Sequence, residues 1–157
     1  MQNLPIIPLD IAEFSRILEG KGTNPIVLGM AENAIYYWKV SEVNGEIQIL
    51  LRHPEYYLKP AAWQFANGTI GIGLLNSFFL IAADKHTFEF ALPYHFYDVI
   101  YANAGKIVIQ HEIGFACINY AGQTLWEWVG DLVESWKIQN GVLSFKTFEG
   151  ADIIQEI

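Results

Sequence analysis

The sequence predicts a mainly β protein in which an antiparallel meander of hairpins is repeated along the chain. One ten-residue phrase occurs three times, as WQFANGTIGI at 63–72, IYANAGKIVI at 100–109 and WKIQNGVLSF at 136–145. The glycines of these phrases, Gly68, Gly105 and Gly141, are 37 and 36 residues apart. A fixed period of that size indicates a repeat architecture.

Between the repeated phrases lie runs that are apolar almost without interruption, SFFLIAA at 77–83 and GFACIN at 114–119. Such runs are typical of strands buried on both faces. Each repeat is therefore predicted to contain a fully buried strand, a mixed strand (88–92 or 125–129) and then a half-exposed hairpin. This decrease in burial, from the fully buried strand to the half-exposed hairpin, favours propeller-like blades. The alternative is one sheet rolled into an open barrel, which the polar second face of each hairpin would suit.

Each repeated phrase is predicted to be a hairpin closed by a two-residue type I′ turn. That turn needs positive φ at both central residues, which asparagine tolerates and glycine adopts freely. Because side chains alternate along a strand, each turn gathers an apolar set on one face. The predicted sets are Trp136, Ile138, Leu143 and Phe145 around 140–141; Trp63, Phe65, Ile70 and Ile72 around 67–68; Ile100, Ala102, Ile107 and Ile109 around 104–105; and, around a weaker fourth turn at Asn44-Gly45, Val40, Ile47 and Ile49 with the charged Glu42.

The chain before the meander, residues 1–25, is predicted to form one short helix and a linker. Asp10 followed by Glu13 has the spacing of a capping box, and Gly20 ends the pattern, so the helix is placed at 11–19. Its apolar stripe consists of Ile11, Phe14, Ile17 and Leu18. Docked on the open edge of the sheet, this helix would hide unpaired backbone groups.

The meander is predicted to span 26–157, so that residues 1–157 form a single β-repeat domain. Its first strands are placed at 26–30 and 34–40. The segment HPEYYLKP at 53–60 contains two prolines and is predicted to be a loop or one helical turn.

One stretch resembles a known family. In ACINYAGQTLWEW at 116–128, the blade positions that carry Ala, Asp, Gly and Trp in PQQ-like (quinoprotein-type) β-propellers hold Ala116, Asn119, Gly122 and Trp126. A degraded second copy keeps Asp84 but has Phe88 or Phe90 in place of Trp. The resemblance implies blade-like local structure without the cofactor, for which no residues can be assigned. The ring would be incomplete with covered edges, or completed by a second chain.

Charge and composition exclude several functions. The formal net charge is −8 and the nine basic residues are scattered, which argues against a nucleic-acid partner because phosphate binding needs clustered Lys and Arg. Cys117 is the only cysteine and is predicted to be a small buried hydrophobe. No signal peptide is evident and no apolar stretch approaches the roughly 20 residues that span a bilayer. A cytoplasmic location without membrane attachment is expected.

The glycines of GTIGIG at 68–73 lie in a hairpin strand rather than before a helix. They are therefore predicted to allow close backbone approach rather than to bind phosphate.

A metal site is one hypothesis for the polar residues. Folding about Gly105 is predicted to place Asp98 opposite His111, with Glu112 adjacent and His95 in the loop upstream. Two histidines and two carboxylates could hold a divalent cation for hydrolysis. Their spacing matches no known ligand motif, and solvated loop residues explain them equally well.

A ligand-binding row of aromatic rings is the other hypothesis. Tyr94 and Tyr97 precede one hairpin, and Trp126 and Trp128 share a face of the next unit with Glu127 on the opposite face. Flat rings beside an acid could stack a sugar or grip a peptide. Packing of rings between blades is the alternative explanation.

These features favour a non-enzymatic module that binds a protein partner, or a second copy of itself, through exposed aromatic and acidic residues. The alternatives are a small-ligand or carbohydrate-binding domain and a metal-assisted hydrolase. No catalytic motif is recognisable, so the sequence leans away from an enzyme.

Overall fold

The computed structural model describes residues 1–20, 22, 24–43, 47–54 and 59–157. Within these ranges the chain forms one helix and sixteen strands. In chain order they are β1 (Gln2–Leu4), β2 (Ile6–Leu9), α1 (Ile11–Leu18), β3 (Ile26–Leu28), β4 (Tyr36–Val43), β5 (Ile47–His53), β6 (Ala61–Gln64), β7 (Ile70–Leu74), β8 (Ser77–Ile81), β9 (Thr87–Ala91), β10 (Phe96–Ala102), β11 (Ile107–His111), β12 (Gly114–Ile118), β13 (Thr124–Val129), β14 (Val133–Gln139), β15 (Val142–Thr147) and β16 (Asp152–Glu156).

The strands form four separate sheets. The first has the order β2-β4-β5-β3, the second β1-β6-β7-β8-β9, the third β10-β11-β12-β13 and the fourth β14-β15-β16. Four sheets, rather than one rolled sheet, confirm the prediction of repeated, propeller-like units. The repeated phrase forms the hairpins β6–β7, β10–β11 and β14–β15, which come first along the chain in their units. The predicted order of strands within a unit was therefore wrong, because the hairpin comes first and the mixed strand last.

Three apolar cores join the sheets face to face in series. The core between the first and second sheets includes Val40, Ile49, Leu51, Ile72 and Phe79. The core between the second and third includes Trp63, Phe78, Phe96, Ile107 and Ile109. The core between the third and fourth includes Val108, Phe115, Leu143 and Phe145. The inner strands of each internal sheet are therefore buried on both faces, which explains why they are nearly continuously apolar.

Helix α1 begins at the predicted capping box. The backbone N–H of Glu13 donates to Asp10 Oδ1 at 2.8 Å, and the Glu13 side chain accepts from the backbone N–H of Asp10. Phe14 is buried, and its ring lies 4.8 Å from that of Tyr37. Tyr37 lies on the face of β4 opposite Trp38, which packs toward the second sheet. The helix therefore covers the outer face of the first sheet, not its edge as predicted.

Residues 1–25 were predicted to contain only a helix and a linker, but they also form two strands, β1 and β2. β1 pairs with β6, and β2 pairs with β4. Both are edge strands, where Pro8 is tolerated because one side of the strand needs no ladder hydrogen bond. The first sheet also departs from a pure antiparallel meander, because β3 runs parallel to β5.

The hairpin at 140–141 has the predicted geometry. Asn140 and Gly141 have φ of 52° and 75°, as a type I′ turn requires. Trp136 pairs with Phe145 and Ile138 with Leu143, in the predicted register. The opposite face carries Lys137, Ser144 and Lys146, and also Ile154 of β16, which stands opposite Ser144 and is 75% exposed. The outer surface of the fourth sheet is therefore mostly polar around one exposed apolar side chain.

The hairpin at 67–68 is shifted by one residue from its predicted register. Gly68 has φ of 83°, but its N–H donates to the carbonyl of Phe65, and Trp63 pairs with Gly71 instead of Ile72. The predicted apolar set is therefore split. Trp63 and Phe65 face the third sheet, whereas Ile70 and Ile72 face the first.

The hairpin at 104–105 is held by a side chain and not by a type I′ turn. Neither Ala104 nor Gly105 has positive φ, and Asn103 Oδ1 accepts the N–H groups of Gly105 and Lys106 at 2.9 and 2.8 Å. A register shift farther along β10 places Val99, and not Ile100, opposite Ile109. The predicted turn at Asn44-Gly45 and most of the loop at 53–60 lie outside the described residues. The strands flanking 44–45 do pair, with Val40 opposite Ile49.

Candidate binding face

Antiparallel strands alternate in direction, so every second connection lies at the same end of the stacked sheets. The asparagine face comprises the connections 65–69, 82–86, 103–106, 119–123 and 140–141. The Tyr94 face, at the opposite end, comprises the connections 75–76, 92–95, 112–113, 130–132 and 148–150. The two faces differ sharply in chemistry.

The asparagine face is polar, and its side chains hold its own turns. Asn67, Asn103 and Asn119 each accept a backbone N–H two residues ahead, at 2.9–3.1 Å. Asp84 does the same for His86 at 3.0 Å. Asp84, Asn119 and Gly122, three of the residues that resemble the quinoprotein motif, thus lie in the turns between the last two strands of the second and third sheets, where Asp84 and Asn119 have a structural role.

The Tyr94 face is apolar and acidic. Its exposed apolar side chains are Phe148, at 69% exposure, Leu132 and Tyr94, and Met30 lies beside Leu75 and Asn76 at the same end. The five connections carry three acids, Glu112, Asp131 and Glu149, and no lysine or arginine. Leu132 and Phe148 are neighbours, because the Phe148 N–H donates to the Leu132 carbonyl at 3.0 Å, and Asp131 and Glu149 lie next to them in the chain. Exposed apolar residues grouped beside acids are typical of an interaction surface.

Tyr94 covers a buried histidine. Its ring is stacked over that of His111, with centroids 6.4 Å apart and planes 19° apart. His111 is fully buried, and neither ring nitrogen has a hydrogen-bond partner among the described residues. Burial lowers the pKa of His111 from 6.5 to about 4, so the imidazole is neutral at pH 7.

The four residues of the predicted metal site are not brought together. His95 Nδ1 lies 3.5 Å from Glu112 Oε2, and both side chains are partly exposed. Asp98 faces solvent and pairs with Gln110 rather than His111, because β10 shifts register between Val99 and Tyr101. In the described part of the chain, no group of three or more His, Cys, Asp or Glu is placed to hold a metal ion.

The predicted aromatic row is also divided. Trp126 and Trp128 share a face, as predicted, but that face packs on the fourth sheet, where the Trp128 ring lies 4.7 Å from Phe145. The Trp126 indole N–H is buried and finds no acceptor among the described residues. Glu127 is exposed on the opposite face of β13. Both tryptophans therefore serve mainly in packing between sheets.

The two tyrosines of the predicted row are exposed. Tyr97 is 49% exposed and lies at the register shift of β10. Tyr94 is 42% exposed and lies in the connection 92–95. Sequence reasoning missed Leu132, Phe148 and Met30. The available signal was a bulky apolar residue beside glycine or an acid in a connection, where solvent exposure is expected.

Cys117 is fully buried in the core between the third and fourth sheets, as predicted. Burial raises the pKa of its thiol, so it is a poor nucleophile.

Among the described residues, no helix is long and apolar enough to cross a bilayer.

Comparison with known proteins identifies no family. No family model matches the sequence, and no curated protein matches it. A search of solved structures found selenomethionine-substituted virginiamycin B lyase from Staphylococcus aureus, with a TM-score of 0.44 and 14% identity. The match covers 98% of this chain and 60% of that chain, so this chain spans less than two thirds of that protein's length.

Proposed function

We propose that the chain is a binding module that recognises a protein partner through the Tyr94 face. The observation that carries the proposal is the contrast between the two ends of the stack. One end is occupied by asparagines that hydrogen-bond to their own turns. The other leaves Tyr94, Leu132 and Phe148 exposed near Glu112 and Glu149, while its third acid, Asp131, accepts the backbone N–H groups of Leu132 and Glu149. Connections presented by a rigid β scaffold are a common place for recognition surfaces.

The charge of the Tyr94 face indicates the kind of partner. Its connections carry acids and no lysine or arginine, so it would attract a surface that combines basic and apolar side chains. Two copies of the chain facing each other at this end would oppose acid to acid. The charge therefore favours a different protein over a second copy.

The small-ligand alternative has less support, because the tryptophans that were predicted to bind the ligand, Trp126 and Trp128, pack between sheets. The hydrolase alternative also has less support, because only His95 and Glu112 of the four predicted metal ligands come together. The cytoplasmic location and the PQQ-like resemblance stay predictions of the sequence.

Charge reversal on the Tyr94 face tests the proposal. The variant Glu112→Lys, Glu149→Lys is expected to lose the proteins that the wild type captures from the native lysate, with affinity reduced about tenfold or more. The matched control is Glu19→Lys, Glu156→Lys, which makes the same change in net charge at exposed positions outside the connections of the Tyr94 face. Its capture is expected to be unchanged.

Quantitative mass spectrometry of the captured proteins measures the outcome. Equal loss from both variants would mean that net charge alone matters, and equal retention by both would mean that the Tyr94 face is not used. Either result would remove the proposal.

A further inference from the structure

A cleft of about 530 Å³ opens between the outer strands of the first and second sheets. Its volume lies in the range typical of ligand-binding sites. Its apolar walls come from Ile26, Leu28, Leu74 and Phe79, and Met30 lies at its mouth. None of the predicted site residues lines it.

The cleft exists because the outer strand of the first sheet is short. β3 has three residues, whereas the outer strands of the second and third sheets, β9 and β13, have five and six. The stretch of β8 and β9 that a longer β3 would cover is left open.

β3 also presents a free edge. It pairs with β5 on one side, and in the described part of the chain no strand pairs with its other side. Unpaired N–H and C=O groups on a strand edge can accept an added strand from another chain. The cleft thus offers backbone groups as well as apolar walls.

An acid is fixed on the opposite wall. Glu89 stands opposite Phe79 in the β8–β9 ladder, so its side chain lies on the face toward the first sheet. Ser77 Oγ donates to Glu89 Oε1 at 2.7 Å, which orients the carboxylate and leaves its other oxygen available. The lining residues include no lysine or arginine.

We propose that this cleft binds an extended protein segment that adds to the free edge of β3 and places a lysine or arginine beside Glu89. The apolar walls would take the alternate side chains of the segment, because side chains of an added strand point to opposite faces. The proposal goes beyond the function of the Tyr94 face, which the cleft adjoins at Met30, Leu75 and Asn76. It is tested at β3 and Glu89, separately from the charge reversal at Glu112 and Glu149.

A peptide titration followed by NMR of the ¹⁵N-labelled protein tests the proposal. The probe is a pool of acetylated, amidated pentapeptides with arginine fixed at the centre and the other positions varied. Saturable shifts are expected at Ile26, Val27 and Leu28 and at Ser77 and Glu89. The matching pool with glutamate at the centre is expected to give none.

Two variants distinguish binding at Glu89 in the cleft from non-specific attraction of a basic peptide to an acidic protein. Glu89→Gln keeps the hydrogen bond from Ser77 but removes the charge, and is expected to weaken binding about tenfold. Glu127→Gln removes an exposed acid of β13 outside the cleft and is expected to bind normally. Absence of saturable shifts at about 1 mM peptide, shifts only outside the cleft, or equal binding by Glu89→Gln would each overturn the proposal.

Discussion

Replacing Gly73 with alanine is expected to lower the free energy of unfolding by at least about 2 kcal/mol. A Cβ at this position would lie 2.2–2.5 Å from three ring carbons of Phe96. The ring has no room to withdraw, because Phe96 is buried and packs on Trp63 and Phe78 at centroid distances of 5.6 and 5.8 Å. The added methyl group would therefore force the second and third sheets apart.

Gly105 is the matched control for this substitution. No atom lies within 4 Å of a Cβ built there, and its φ is not in the left-handed region. Gly105→Ala should leave stability unchanged or raise it by up to about 1 kcal/mol through the unfolded state. Urea unfolding of both variants measures the difference. Similar stabilities for the two would show that the second and third sheets do not pack as described.

Replacing His111 with leucine is expected to remove a pH dependence of stability worth up to about 3 kcal/mol. The pKa of His111 is 6.5 in the unfolded chain and about 4 when the protein is folded, so the unfolded chain binds more protons between these limits. In the wild type, this contribution to stability is fully present above about pH 6.5. It is lost progressively as the pH falls toward 4.

Urea unfolding of the wild type and His111→Leu at several pH values between about 4 and 7 measures this effect as a difference. The variant should gain stability relative to the wild type as the pH falls, since leucine cannot be protonated. A constant difference between wild type and His111→Leu across the range would show that His111 is not buried.

The hairpin predictions show how far local pattern determines register. At 140–141 one face is polar, so a slip of one residue would turn the apolar set to water, and the predicted register is the observed one. At 67–68 both faces are buried, so either register buries apolar side chains. Gly71 and Gly73 then favour the shifted register by making room for Phe65 and Phe96. The alternation of apolar and polar residues could not show that the second sheet is covered by other sheets on both faces.

The candidate site was predicted only in part. Tyr94 was predicted in a ligand-binding aromatic row together with Trp126 and Trp128, and Glu112 was predicted separately as a candidate metal ligand. Alternation in the sequence placed both tryptophans on one face of β13, and it could not show which sheet that face meets. The cleft beside β3 depends on the length of a strand relative to its neighbours, which only the assembled sheets reveal.

The most direct measurement is site-specific photo-crosslinking, because it reports which end of the stack touches a partner. A benzophenone side chain is placed at Tyr94 or Phe148 on the Tyr94 face, and at Ala104 on the asparagine face, and each protein is irradiated in native lysate. We expect the same discrete crosslinked protein from Tyr94 and Phe148, and none from Ala104. Crosslinks of equal yield from Ala104, or no discrete species from either position on the Tyr94 face, would contradict the account.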